Sequence, residues 1–85
     1  MIKVETALAE YKDFMLGEHK SKSHVKEVID VLTAFFESIK LKDVDKINLD
    51  TFDEFRTWLK KNGYSRVLKG YMNYLPDFIR FVYIR

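Results

Sequence analysis

The chain has 85 residues, the size of one domain, and folding at this length removes only roughly 60–65% of the unfolded chain's surface from water, which leaves no room for a second core. Hydrophobic residues make up 47% and charged residues 33%, with seven Phe, five Tyr and one Trp, a composition that excludes a disordered chain. The net charge is +2, too small to identify a partner by its sign alone.

Three Gly and one Pro are too few for the turns of a small sandwich or barrel, so the chain reads as all-α. A first helix over about residues 2–16 places Val4, Leu8, Tyr11 and Met15 on one face with Ala7 and Phe14 beside them, and Gly17 fits the left-handed residue that ends it. A second, over about 22–39, repeats Val25, Val28, Ile29, Leu32, Phe35, Phe36 and Ile39 at helical steps, with Ser21 and Ser23 competing as N-caps. Residues 40–47 lack a sustained period and read as a connection pinned by Leu41, Val44 and Ile47. A third helix begins near Asn48 or Asp50, turns Phe52, Phe55 and Leu59 inward with Trp58 at the edge, and stops at Lys60-Lys61-Asn62-Gly63. The fourth runs from Ser65 to the end, with Leu68, Tyr71, Met72, Leu75, Phe78, Ile79 and Val82 on one side and Arg66, Lys69, Asn73, Asp77 and Arg80 on the other. Pro76 deletes one bond of that helix and is expected to kink it. Phe81 and Ile84 fall near the polar stripe, as frayed terminal residues or as a docking surface for a following segment.

Charge is uneven along the chain. Residues 1–18 net −2, from Lys3 and Lys12 against Glu5, Glu10, Asp13 and Glu18, whereas residues 63–85 net +3, from Arg66, Lys69, Arg80 and Arg85 against Asp77. Helix starts favour acidic residues because the aligned peptide dipoles leave positive charge there, and the third helix complies with Asp50, Asp53 and Glu54. The second reverses this with Lys20, Lys22, His24 and Lys26, and the fourth opens with Ser65, Arg66 and Lys69 and no acid before Asp77. Each misplaced charge costs a few tenths of a kcal/mol. An anion bound to free N–H groups, cap hydroxyls and basic side chains would offset that cost, and nucleic acid is the obvious polyanion.

Chemistry beyond binding is not indicated. With no cysteine and with His19 and His24 five residues apart, no metal or other cofactor is expected. Glu5, Glu10, Asp13 and Glu18 read as a solvated helix face, and Ser21, Ser23 and Ser65 lack recognisable His and Asp partners. No run approaches the roughly 20 apolar residues of a membrane span, and Glu5 and Glu10 interrupt the stretch where a signal peptide needs an apolar core. A cytoplasmic chain making no membrane contact is the expectation.

One pattern spans nearly the whole chain. Its parts are Tyr11-Lys-Asp-Phe-Met-Leu; Ser21-Lys-Ser-His-Val-Lys followed by Leu32 and Phe36; Ile47-Asn-Leu-Asp-Thr-Phe with Trp58-Leu59; Asn62-Gly-Tyr-Ser; and Leu75-Pro-Asp-Phe-Ile-Arg-Phe. This order resembles the SAM-like core-binding domain of tyrosine recombinases and phage integrases. His24 stands where the family usually has Thr, Val28 where an aromatic is frequent, and Pro76 where Arg is common. The resemblance implies a compact, orthogonally packed bundle of four helices, in which the second and fourth enter the DNA major groove. It also implies a separate catalytic domain supplying the Arg, Lys, His-x-x-Arg and Tyr set, which is not identifiable in this chain.

The expectation is therefore one non-enzymatic core-binding domain over residues 1–85, a piece of a longer recombinase, that binds double-stranded DNA. Its partners would be that catalytic domain and neighbouring recombinase protomers on DNA. The expected DNA contacts are Lys20, Ser21, Lys22, Ser23, His24 and Lys26 at the second helix, and Arg66, Lys69, Asn73 and Arg80 along the fourth. Lys and Ser would hold phosphates, whereas Asn73 and Arg66 could read base edges. The alternative is a helical interaction or oligomerisation module seeded by Phe81 and Ile84.

Overall fold

The computed structural model describes residues 2–18, 20–64 and 68–84. The chain forms α1 (Val4–Gly17), α2 (Lys22–Ser38), a short 3₁₀ turn (Val44–Lys46), α3 (Leu49–Lys61), α4 (Leu68–Met72) and α5 (Tyr74–Ile84). It is an all-α bundle in which α4 and α5 together occupy the place of the expected fourth helix. Its radius of gyration is 12.2 Å, close to the roughly 12 Å of a compact chain of this length.

Helical periodicity puts the same residues inward that it singles out in the sequence. Val25, Leu32, Phe35, Phe55, Leu59, Leu75 and Phe78 are fully buried, and Val4, Leu8, Tyr11 and Met15 close the core from α1. α1 lies against α2 and α5, and α3 against α4. Phe35 sits at the centre, its ring 4.9 Å from Phe55, 5.4 Å from Phe36 and 5.9 Å from Trp58.

The element ends have local causes. At α3, Asn48 Oδ1 accepts from the Thr51 N–H at 3.2 Å while Thr51 Oγ1 accepts from the Asn48 N–H at 3.1 Å, a reciprocal cap that buries Thr51. At its far end the Tyr64 N–H reaches the Leu59 carbonyl at 3.0 Å, with Gly63 at φ 86° between them, the Schellman arrangement that glycine suits. α2 ends the same way, with the Leu41 N–H on the Phe36 carbonyl at 3.0 Å, but here the left-handed position is Lys40, at φ 54°. Gly17 departs from expectation: it is the last residue of α1 and has no positive φ.

Before α1, Lys3 and Asp43 form an isolated antiparallel bridge. The Val4 N–H donates to the Lys42 carbonyl at 2.8 Å and the Val44 N–H to the Ile2 carbonyl at 2.9 Å. The Lys3 ammonium lies 3.1 Å from Asp43 Oδ1, so the start of α1 is tied to the connection after α2.

The disruption expected at Pro76 falls three residues earlier. The Asn73 N–H closes α4 on the Gly70 carbonyl at 3.4 Å, and the Asn73 carbonyl opens α5 by accepting from the Asp77 N–H at 3.0 Å. Pro76 is thus third in α5, where its missing N–H would have had no intrahelical acceptor. A continuous helix would instead have left the Met72 carbonyl crowded and unbonded.

Candidate functional site

The start of α2 keeps the charge anomaly read from the sequence. Its first turn contains no acidic residue, and Ser21 is the N-cap, its Oγ accepting from the His24 N–H at 3.1 Å. This settles the competition between Ser21 and Ser23: Ser23 lies inside the first turn with its side chain exposed. Lys20, Ser21, Lys22, His24 and Lys26 are exposed as well. Lys26 is engaged along its own helix, its ammonium 2.8 Å from Asp30 Oδ2. That hydrogen bond and the charge of Asp30 raise the lysine pKa, and an anion would have to compete with Asp30 for it.

The fold carries the α4–α5 junction to this helix start. The Tyr74 hydroxyl donates to Glu27 Oε1 at 2.9 Å, and the Tyr74 ring meets the His24 ring edge-on at 6.0 Å. Burial and then the Glu27 hydrogen bond hold the Tyr74 phenol well above the ordinary tyrosine range, and the same two causes raise Tyr71. Glu27 therefore ties the start of α5 to α2. Asn73, the residue before Tyr74, is exposed at the junction. Half-buried Tyr64, Tyr71 and Tyr74 continue a row of ring contacts from Trp58, with centroid separations of 6.0, 4.6 and 5.1 Å. This tyrosine row was missed in the sequence, where Tyr71 reads as one more member of an apolar stripe and Tyr64 and Tyr74 carry no periodic signal.

Lys20, just ahead of the α2 N-cap, and Arg80 line one cleft of about 570 Å³ between the end of α1 and α5. Arg66 lies outside the described residues, as do His19 and the side chains of Lys69 and Ile84. The second expected anomaly is halved: α5, the longer part of the divided helix, has Asp77 in its first turn, while α4 has no acid there.

Phe81 also departs from its wheel position. It is half-buried, with its ring 5.1 Å from Tyr11 and 5.0 Å from Phe14, on the side of α5 that packs against α1. Phe14 is 47% exposed, lying over Phe81 instead of joining the core. Burial and the nearby charge of Asp77 raise the Tyr11 phenol.

Among the described residues no group of three His, Cys, Asp or Glu could hold a metal ion, and no helix is long and apolar enough to cross a membrane. No protein-family model, curated protein or solved structure matches the chain. The geometry defines an all-α bundle with an exposed basic helix start braced by a tyrosine–glutamate contact.

Proposed function

We propose that this chain binds double-stranded DNA as the core-binding domain of a tyrosine recombinase, with the start of α2 as its grip. The observation that carries this reading is the acid-free first turn of α2, flanked by exposed Lys20, Lys22, Ser23 and His24. The N–H groups of Lys22 and Ser23 are not consumed by the Ser21 cap, and a phosphate there would meet backbone donors, a hydroxyl and lysine charge together. Arg66, Lys69 and Arg80 would extend the contact, and Asn73 has the donor–acceptor pair needed to read an adenine edge. In this reading catalysis belongs to a separate domain of the parent recombinase, and the chain itself supplies grip.

The test is fluorescence anisotropy with labelled duplexes over a series of salt concentrations. About four phosphate contacts give a slope of log K on log salt of roughly −3 to −4. Lys20→Glu combined with Lys22→Glu should weaken binding on every sequence and flatten the slope. No binding at low salt, or full binding by that double variant, overturns the proposal.

A further inference from the structure

We infer that the cleft between the end of α1 and α5 takes an unpaired base of the bound DNA, an assignment that rests on the DNA reading and narrows it to duplexes carrying an extrahelical nucleotide. The cleft holds about 570 Å³, within the size range of small-ligand sites. Its floor is aromatic and apolar, formed by Tyr11, Phe14, Met15 and Phe81. Phe14 is 47% exposed, with its ring 5.0 Å from that of Phe81. An exposed phenyl gives up the burial that stabilises it in a core, and a base stacked on it restores that burial whatever the base's identity.

Charge decides which part of a nucleic acid enters. Glu18 and Asp77 line the cleft together with Lys20 and Arg80, and none of the four takes part in the ion pairs formed among the described residues, Lys3–Asp43 and Lys26–Asp30. Two acids and two bases cancel, so a phosphate gains nothing by entering, whereas a flat neutral ring meets an aromatic floor and carboxylates able to accept from its exocyclic amine. Lys20 stands one residue ahead of Ser21, the N-cap of α2, so the cleft adjoins the helix start that would hold the phosphates, and Lys20 belongs to both. A paired base inside a duplex has both faces covered by its neighbours and offers none to Phe14. A base without a partner is the cheapest to swing out of the stack, and it leaves its flanking phosphates for Lys20, Arg80 and the free N–H groups of α2.

Fluorescence anisotropy of the full chain with two labelled duplexes of one sequence, one fully paired and one with a single extra adenine in one strand, tests this. The bulged duplex should bind about tenfold tighter. Phe14→Ser should abolish that difference and leave the fully paired duplex at its parental affinity; since Phe14 is already exposed, far-UV circular dichroism should remain that of the parent. An extra thymine, which has no exocyclic amine for Glu18 or Asp77, should gain less than adenine. Equal binding of the two duplexes, or a preference that survives Phe14→Ser, overturns this inference and leaves the DNA reading standing. Failure of both duplexes to bind at low salt overturns the two together. A dimer formed without DNA and lost in Phe14→Ser would give the cleft to a second copy and likewise overturns the inference.

Discussion

Tyr74 and Glu27 are 47 residues apart in sequence and joined by a 2.9 Å hydrogen bond, which fixes the α4–α5 junction to the second turn of α2. The donor is a phenol and the acceptor a carboxylate at the surface, so the bond is charge-assisted but partly screened by water. Removing the donor with Tyr74→Phe should cost about 1 kcal/mol in urea unfolding. Because the bond anchors the junction that carries Asn73 to α2, Tyr74→Phe should also weaken the proposed DNA binding while the salt slope stays that of the parent.

The same contact sets an alkaline limit to stability. A phenol whose pKa is raised on folding favours the native state fully below the unfolded value of about 10, and that advantage is lost as pH climbs toward the folded value, because the unfolded chain releases its proton first. Tyr74, Tyr71 and Tyr11 all shift in this direction. The melting temperature should be level through neutral pH and fall above about pH 10, with Tyr74→Phe falling less steeply. Parallel curves for the two proteins would assign the alkaline loss to other groups.

Lys22 and Lys26, alike on a helical wheel, should behave differently. Lys26 is held by Asp30 at 2.8 Å, whereas Lys22 is exposed in the first turn. Lys22→Glu should abolish about one phosphate contact, changing the salt slope by about 0.9, and should stabilise the free protein by a few tenths of a kcal/mol through the helix dipole. Lys26→Glu should perturb binding less and destabilise the helix slightly, because it places two acids four residues apart. Anisotropy and thermal melts on the two single variants separate these outcomes.

Two helix ends of identical construction invite opposite substitutions. Gly63→Ala forces a side chain into φ 86° and should cost about 1–2 kcal/mol. Lys40→Gly relieves the same conformation at φ 54° and should raise stability by up to about 1 kcal/mol, offset in part by the greater freedom of an unfolded glycine. Chemical denaturation of each variant gives the sign directly.

Much of the bundle is legible in the sequence because burial follows helical period. The inward positions of α1, α2 and α3 are where the spacing of Val4, Leu8, Val25, Leu32, Phe35, Phe55 and Leu59 puts them. The last helix is less legible for a physical reason. Pro76 announces a disruption, but its location depends on which upstream residue can best open a new helix, and a wheel drawn through 65–85 assumes one continuous helix where there are two segments. That assumption puts Phe81 on the polar side, although in the fold it lies against Tyr11 and Phe14 of α1. At the candidate grip, the acid-free turn of α2 is local and readable. Its bracing by Tyr74 and Glu27 is a long-range contact that no spacing encodes, and the Lys26–Asp30 pair competes with a role that charge alone suggests.

The short bridge between Lys3 and Asp43 has a consequence for how the molecule opens. By fastening the segment ahead of α1 to the connection after α2, it turns the first half of the chain into a closed ring whose ends are clasped by two backbone hydrogen bonds and an ion pair. Deuterium should therefore enter the amides of Val4 and Val44 together and not one after the other, because neither bond can break without loosening its twin. The clasp can open in this way while the bundle stays closed, because Val4, Leu8, Tyr11 and Met15 keep α1 seated on α2 and α5.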